Sequence, residues 1–491
     1  MTQLKNGNSV SRGETVTADV CVIGGGAAGI TVARALANSN LHVVLLESGT
    51  TTFEAPTQDL YSGTSSGDSY DVNASRLRFL GGSTNHWAGW CRPLDPTDFE
   101  ARPWVRNSGW PITRRDLDPY YARALPLVDI AVEPFDRDYW LKTRSDARVI
   151  PLLENDVMTT AVFRFSQGPV HFGDRFRKDL ERAPNVDVYL ESNVVNIATT
   201  KDAASVTHVD VATLKGNRFK VSAREYVLAL GGIENARMLL ASQDVRATGV
   251  ANDHDLVGRY FMDHPEGHVG VLLLSGQAPD NFLGGRIDLL RTVVTFNTKV
   301  FEREQMNAIA FVVGTTEPLA VKGKIDSRDV AAVLQAIEGG ASIPYELYLR
   351  GEPEPNPDSR ITLTNKLDAL GVPRLDLRWQ LGPDDRARYR HAIELLAKQF
   401  GSKGVGWVRI EPADFGQPKS DVFYGAHHMG TTRMHADPRK GVVDAQCRAH
   451  GMSNLSIAGS SVFPAVGFSN PTLTILALAL RIADNVRATL A

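Results

Sequence analysis

The feature that most constrains this chain lies near its start. Residues 18–23, ADVCVI, form a short apolar, β-branched run that leads straight into GGGAAG. Gly24, Gly26 and Gly29 give the spacing G-x-G-x-x-G, and an alanine-rich helical pattern follows to about Asn38. A second apolar run, HVVLL at 42–46, ends at Glu47. The whole reads as a strand–turn–helix–strand unit in which each glycine has its own task. Gly24 permits the tight turn, Gly26 lets a phosphate approach the backbone, and Gly29 lets helix pack on strand. The helix N-terminus then offers free N–H groups and a positive dipole end to the phosphates of a dinucleotide. Glu47, 18 residues after Gly29, can accept both hydroxyls of an adenosine ribose. A carboxylate there disfavours NADP, whereas FAD and NAD both remain open.

The rest of the chain is too long to be this unit alone. At 491 residues more than one domain is expected, and no repeat or low-complexity segment appears. A net charge of -3 leaves no basic footprint for nucleic acid. Three cysteines, Cys21, Cys91 and Cys447, are far apart and odd in number, which argues against a disulfide framework. Residues 474–482 are apolar but are broken by Arg481, and no stretch approaches the roughly 20 residues of a membrane helix. Residues 1–13 are polar and lack the apolar core of a signal peptide. The expectation is a cytoplasmic chain with reduced thiols and no membrane span.

Strand–Gly–helix units recur. EYVLAL at 225–230 runs into GG and the helical IENARMLLAS, and NLSIAG at 454–459 precedes a helix at 471–489. Further helices are predicted at 115–125, 172–183 and 383–400, and a strand at 186–190. Alternating patterns at 267–315 and 360–380 suit a largely antiparallel sheet. The predicted fold is therefore α/β. A Rossmann-like nucleotide-binding domain would be assembled from 1–110, 185–260 and 425–491. A substrate-binding domain on an antiparallel sheet would take 111–184 and 261–424. Residues 60–110 show little periodicity and hold Trp87, Trp90, Trp104 and Trp110, the character of a functional loop or lid.

Three more segments are informative together: GGSTNHW at 81–87, AHHMGTTRM at 426–434 and FSNPTLTILALA at 468–479. In that order they resemble the glucose–methanol–choline (GMC) oxidoreductases over nearly the whole chain. The resemblance is to pyranose-oxidase-like and glycoside-oxidising bacterial members, and to sugar dehydrogenase subunits. It implies FAD. By the same resemblance Ser48, Gly82, Ser83, Asn85, Val194, Ala229, Gly231, Pro471 and Thr472 join Gly24, Gly26, Gly29 and Glu47 as cofactor contacts. His86 stands where a related histidine can carry flavin covalently; a hydrogen bond to flavin or backbone is the other reading. The chain departs from the family at Gly459, where many members place an acidic residue. The backbone N–H groups of Gly459 and Ser460 are the expected substitutes.

The C-terminal segments make chemical sense. Taking hydride from a carbinol is eased by a base that removes the hydroxyl proton, and histidine titrates near pH 6.5. The resemblance implies His427 as that base and Asn470 as its partner on the substrate oxygen. His428 is a rival, but adjacent side chains on an extended segment point opposite ways. His264 is read as a structural hydrogen-bonding residue. Trp90 and Trp104 are either core or a stacking surface for sugar, and Arg114, Arg115 and Asp116 a solvated helix start. His427, His428, His435 and Cys447 match no common zinc spacing. The expected reaction is oxidation of a secondary hydroxyl of a sugar or glycoside, with oxygen or a quinone-type acceptor taking the electrons. The rivals are a lyase with non-redox flavin, a dehydrogenase subunit feeding a quinone or cytochrome partner, and an NAD-dependent dehydrogenase. The last leaves the C-terminal His and Asn segments unexplained.

Overall fold

A computed structural model describes residues 4–68, 70–143, 156–275, 289–313, 342–404, 406–410 and 422–491. The strand Thr15–Ile23 sits centrally in an eight-stranded sheet and is buried on both faces over Val20–Ile23. Its continuous apolar run, without alternation, is what such a covered position demands. On one side lie Val43–Leu46, Val186–Leu190 and Lys5–Asn6, all parallel. On the other lies Arg218–Leu228, which also pairs in parallel with Leu455–Ile457. An antiparallel extension, Val206–Ala212 and Asn193–Thr199, completes the sheet. Three segments far apart in sequence thus end their strands on one edge, where crevices for dinucleotides form.

The helix Ala27–Leu36 packs against the last helix, Thr472–Leu490. Gly29 makes the turn before it possible, because a Cβ there would lie 1.8 Å from the Gly24 carbonyl oxygen. Gly24 itself has φ +108°, a conformation that favours glycine.

The second sheet has seven strands, all antiparallel among the described residues: Gly406–Ile410, Pro265–Ser275, Ser342–Gly351, Ile309–Val313, Leu290–Phe296 and Met158–Arg164 in order, with Val422–Tyr424 also on Pro265–Ser275. It holds the strands expected from the alternating pattern at 267–315, whereas the pattern at 360–380 forms a separate antiparallel pair, Arg360–Leu367 with Pro373–Trp379.

Three elements make contacts across the expected division into segments. The helix Phe172–Arg182 packs on Ala27–Leu36 and Val186–Leu190, with Arg34 bonded to Asp179 at 2.8 Å. It belongs with the eight-stranded sheet, because its one apolar face (Phe172, Phe176, Leu180) finds its cover there. The helix Arg114–Ala124 likewise docks on the last helix, through Tyr121 and Thr474 at 2.9 Å. Conversely, Thr64–Gly67 leaves the first segment to pair with Pro373–Trp379 in a three-stranded sheet. Among the described residues no helix is long and apolar enough to cross a membrane.

Candidate active site

A cavity of about 630 Å³ runs from the glycine turn to the antiparallel sheet. It is lined by Gly24, Gly26, Glu47, Ser48, Gly82, Ser83, His86, Val194, Ala229, Gly231, Gly459, Ser460, Pro471 and Thr472. His427 and Asn470 stand at its far end. Two of the expected cofactor contacts are not on it. Gly29 packs under the turn, and Asn85 turns back into its own loop, its amide donating to the Leu80 carbonyl at 3.0 Å. Both residues shape the site from behind.

The near end is built to take a dinucleotide. The Glu47 carboxylate is buried, 5% exposed, and accepts from the backbone N–H groups of Gly25 and Gly49, each at 2.8 Å. Burial raises its pKa, opposed by those two N–H donors and then by Arg78. A Cβ added to Gly26 or Gly231 would meet nothing within 4 Å, so both glycines front open space where a ligand's phosphates can approach the chain. These are features a bound FAD would fill. Arg76 and Arg78, which the sequence reading passed over, also line the cavity. They clamp Glu234 on the helix Gly231–Ala241, with Arg76 at 2.8 Å. Burial alone would push the Glu234 carboxyl up, but Arg237, Arg76 and Arg78 together bring it to about 2. Their spacing R-x-R within a loop was the only sequence signal.

The far end owes its order to strand pairing. Met262 and Met429 exchange backbone hydrogen bonds at 3.0 and 2.9 Å as an antiparallel bridge. Two positions further along, His264 and His427 therefore share one face, while Asp263 and His428 take the other. His427 Nδ1 lies 2.9 Å from His264 Nδ1, and His427 Nε2 lies 3.1 Å from the Asn470 amide nitrogen. The Asn470 oxygen accepts from Arg350 at 2.6 Å, and Arg350 is paired with Glu266 at 2.7 Å. The amide nitrogen of Asn470 is thereby turned toward His427. Asp263 fixes the backbone of both histidines. Its Oδ1 accepts from His264 N at 2.7 Å and His427 N at 3.0 Å, and its Oδ2 from Tyr70 at 2.6 Å. Burial pushes Asp263 up to about 7 despite these donors.

Burial also holds the imidazoles neutral. His427 is lowered well below its ordinary 6.5 by desolvation, then by His264, Arg350 and His428. His428 falls to about 3, chiefly by desolvation, and sits between Tyr70 and Phe261 with its Nε2 3.1 Å from Ser75 Oγ. It borders the cavity but on the opposite face of its strand from His427. His86 is exposed beside it, and its imidazole makes no hydrogen bond to a described residue. Trp90 lines the cavity, but Arg291 and Arg350 lie over its ring at 4.4 and 5.3 Å. Trp104 does not reach it, and donates instead to the Met306 carbonyl at 2.9 Å. Among the described residues no group of histidines, cysteines and carboxylates could hold a metal.

Residues 19–254 match the model of the family "FAD dependent oxidoreductase", and residues 355–479 that of "GMC oxidoreductase". The chain carries the C-terminal domain of the GMC oxidoreductases, and its cofactor is FAD. It is 29% identical to the fructose dehydrogenase large subunit of Gluconobacter japonicus, over 62% of the chain and 55% of that subunit. The alignment thus spans about half of that subunit's length. It is 26% identical to the 6'''-hydroxyparomomycin C oxidase of Streptomyces lividus, over 96% of the chain and 92% of the relative. With the C-glycoside 3-oxidase of Microbacterium trichothecenolyticum it shares 26% identity over 84% and 76%. A solved structure of pyridoxine 4-oxidase from Mesorbium loti shares the fold, with TM-score 0.61, 20% identity and 96% of this chain covered, 99% of that one.

Proposed function

We propose that this chain converts a secondary hydroxyl of a sugar or glycoside to the ketone, with His427 as base and Asn470 on the substrate oxygen. The observation that carries the reading is the His427–Asn470 pair. An unprotonated imidazole nitrogen and an amide N–H meet at one point of the cavity wall, 3.1 Å apart. A hydroxyl placed there gives its proton to Nε2, and the amide N–H stabilises the oxygen as it gains negative charge. Arg350 holds that amide in the donating orientation. When bound, FAD would supply the hydride acceptor, with oxygen or a quinone-type acceptor receiving the electrons. Glu47, Gly26 and Gly231 would hold its phosphate and ribose end, with Ser48, Ser83, Val194 and Ala229 along it. Gly82, His86, Gly459, Ser460, Pro471 and Thr472 would meet the rest. The N-terminus of the helix Thr472–Leu490 adds a favourable dipole toward that end. The names of the three relatives (fructose, 6'''-hydroxyparomomycin C and a C-glycoside) support a sugar as the donor.

The test is anaerobic mixing of the yellow protein with a panel of sugars and glycosides. Bleaching of the flavin by one of them, with the matching keto-sugar as product, supports the proposal. Turnover without bleaching would point to lyase chemistry and remove it.

Two further outcomes are expected. Acid precipitation should leave the flavin in the supernatant, with His86 as a noncovalent contact; colour in the pellet would show a covalent link. The acid limb of the flavin-reduction rate should fall well below pH 6.5. The base form of His427 lies on the alkaline side of a depressed pKa, so activity is lost only as pH drops through that lowered value. A limb centred near 6.5 would show that His427 is not held neutral.

A further inference from the structure

His264 was the residue with the blandest sequence reading, yet it is wholly buried against His427, at 0% exposure. Its Nε2 lies 2.9 Å from the Gly467 carbonyl oxygen. A carbonyl only accepts, so this nitrogen carries hydrogen. Burial, and then Arg350, lowers His264 to about 3, so at neutral pH it holds one proton only. Its Nδ1 is consequently bare and can only accept. Across the 2.9 Å gap, two bare nitrogens would repel, so His427 Nδ1 carries hydrogen and donates. His427, also neutral, then has its lone pair at Nε2, on the side of the cavity.

A second chain of bonds, starting elsewhere, reaches the same answer. The Glu266–Arg350 pair turns the Asn470 oxygen toward Arg350 and its amide nitrogen toward His427 Nε2. An amide N–H needs an acceptor there, and only the Nδ1–H form of His427 provides one. The anchor is firm. Gly467 N donates to Glu352 at 3.1 Å, Glu352 is held by Arg102 through two bonds of 2.7 Å, and a Cβ on Gly467 would lie 2.4 Å from Asp98. The charged or titratable groups facing the pair are Asp263, Glu266, Arg350, Glu352 and His428.

We infer that His264 is a positioning residue, which accepts the Nδ1–H of His427 and so keeps the Nε2 lone pair of His427 on the cavity. The inference deepens the reading of His427 as base and rests on it for its functional consequence.

Two substitutions separate its two bonds. In His264→Gln the amide nitrogen falls near the old Nε2 and can still donate to Gly467, but the acceptor for His427 is lost. In His264→Asn an oxygen falls near the old Nδ1 and still accepts. Flavin reduction by a reactive substrate should slow by about 100-fold in the glutamine variant, the scale of a misdirected base, with substrate dissociation constant unchanged. The asparagine variant should recover most of that loss. Nitrogen-15 spectra of histidine-labelled oxidised holoenzyme give a readout apart from turnover. They should show His427 as the Nδ1–H tautomer in the wild type and as a mixture in His264→Gln. A wild-type spectrum with hydrogen on His427 Nε2 would overturn the inference, and this needs no variant to fold. So would equal losses in both variants with an unchanged tautomer, the mark of a merely structural role. If His427→Ala reduced flavin at the wild-type rate, the base reading would fail instead, while the tautomer would still be judged by the spectra.

Discussion

Replacing His427 with alanine should slow flavin reduction by about 10²–10⁴-fold, the range that a positioned base contributes. FAD should remain bound, because the groups proposed to hold it lie along the whole cavity and His427 stands only at its far end. The fold should also tolerate the change. His427 borders the cavity, its backbone N–H still donates to Asp263, and the loss of its ring enlarges a cavity that is already there. Stopped-flow absorbance without oxygen reads the reduction rate, and the flavin-to-protein ratio reads occupancy. Asn470→Ala should be milder, since it removes one donor and leaves the base in place. A His427→Ala enzyme that bleaches as fast as wild type would exclude the histidine as base and direct attention to His428.

Two glycine substitutions three residues apart should fail in different ways. Gly29→Ala puts a methyl 1.8 Å from the Gly24 carbonyl oxygen, a backbone atom that cannot move without opening the turn. The expected result is a colourless protein with a lower unfolding midpoint, whether or not FAD is supplied. Gly26→Ala has no such conflict. Its φ of -86° suits alanine, and the new methyl meets nothing within 4 Å. It should fold as well as the wild type without cofactor, yet bind FAD about 10- to 100-fold more weakly. That is the scale of one backbone hydrogen bond to a charged group, about 1.5–3 kcal/mol. Thermal unfolding of the FAD-free proteins and titration with FAD separate the two outcomes. Equal unfolding midpoints for the two variants would show that the packing of helix on strand does not need Gly29.

Much of the architecture was legible because its determinants are local. Strand 186–190 and the helices near 115–125, 172–183, 383–400 and 471–489 lie within a few residues of the observed elements. Each carries its own period of apolar residues. The partition into segments was less legible. Helix Phe172–Arg182 has the same amphipathic pattern whichever sheet it covers, and only packing assigns it to the nucleotide-binding side. Asn85 illustrates the same limit at the site. Its motif placed it on the loop along the cofactor, but one hydrogen bond to Leu80 turns the side chain away from the cavity.

The residues that were passed over share a cause. Arg76, Arg78, Asp263, Glu266 and Arg350 lie in segments with no distinctive spacing, and their partners are remote. A charged residue in a loop reads as solvated until the structure supplies a buried counterpart. His264 was seen but undervalued, because nothing near it in sequence is His427; a strand pairing 163 positions away brings them together.

The sequence by itself determined the nucleotide-binding unit, since turn, helix start, packing glycine and ribose carboxylate all fall within residues 18–47. It also placed His427 and His428 on opposite faces, once alternation along an extended strand is granted. Only the tertiary structure decided which nitrogen of that histidine is bare. That choice runs through Gly467, His264, Asn470, Arg350 and Glu266, residues drawn from three segments remote from one another in the chain. The proton's position follows from which donor meets which acceptor, and those meetings exist only after the chain has folded.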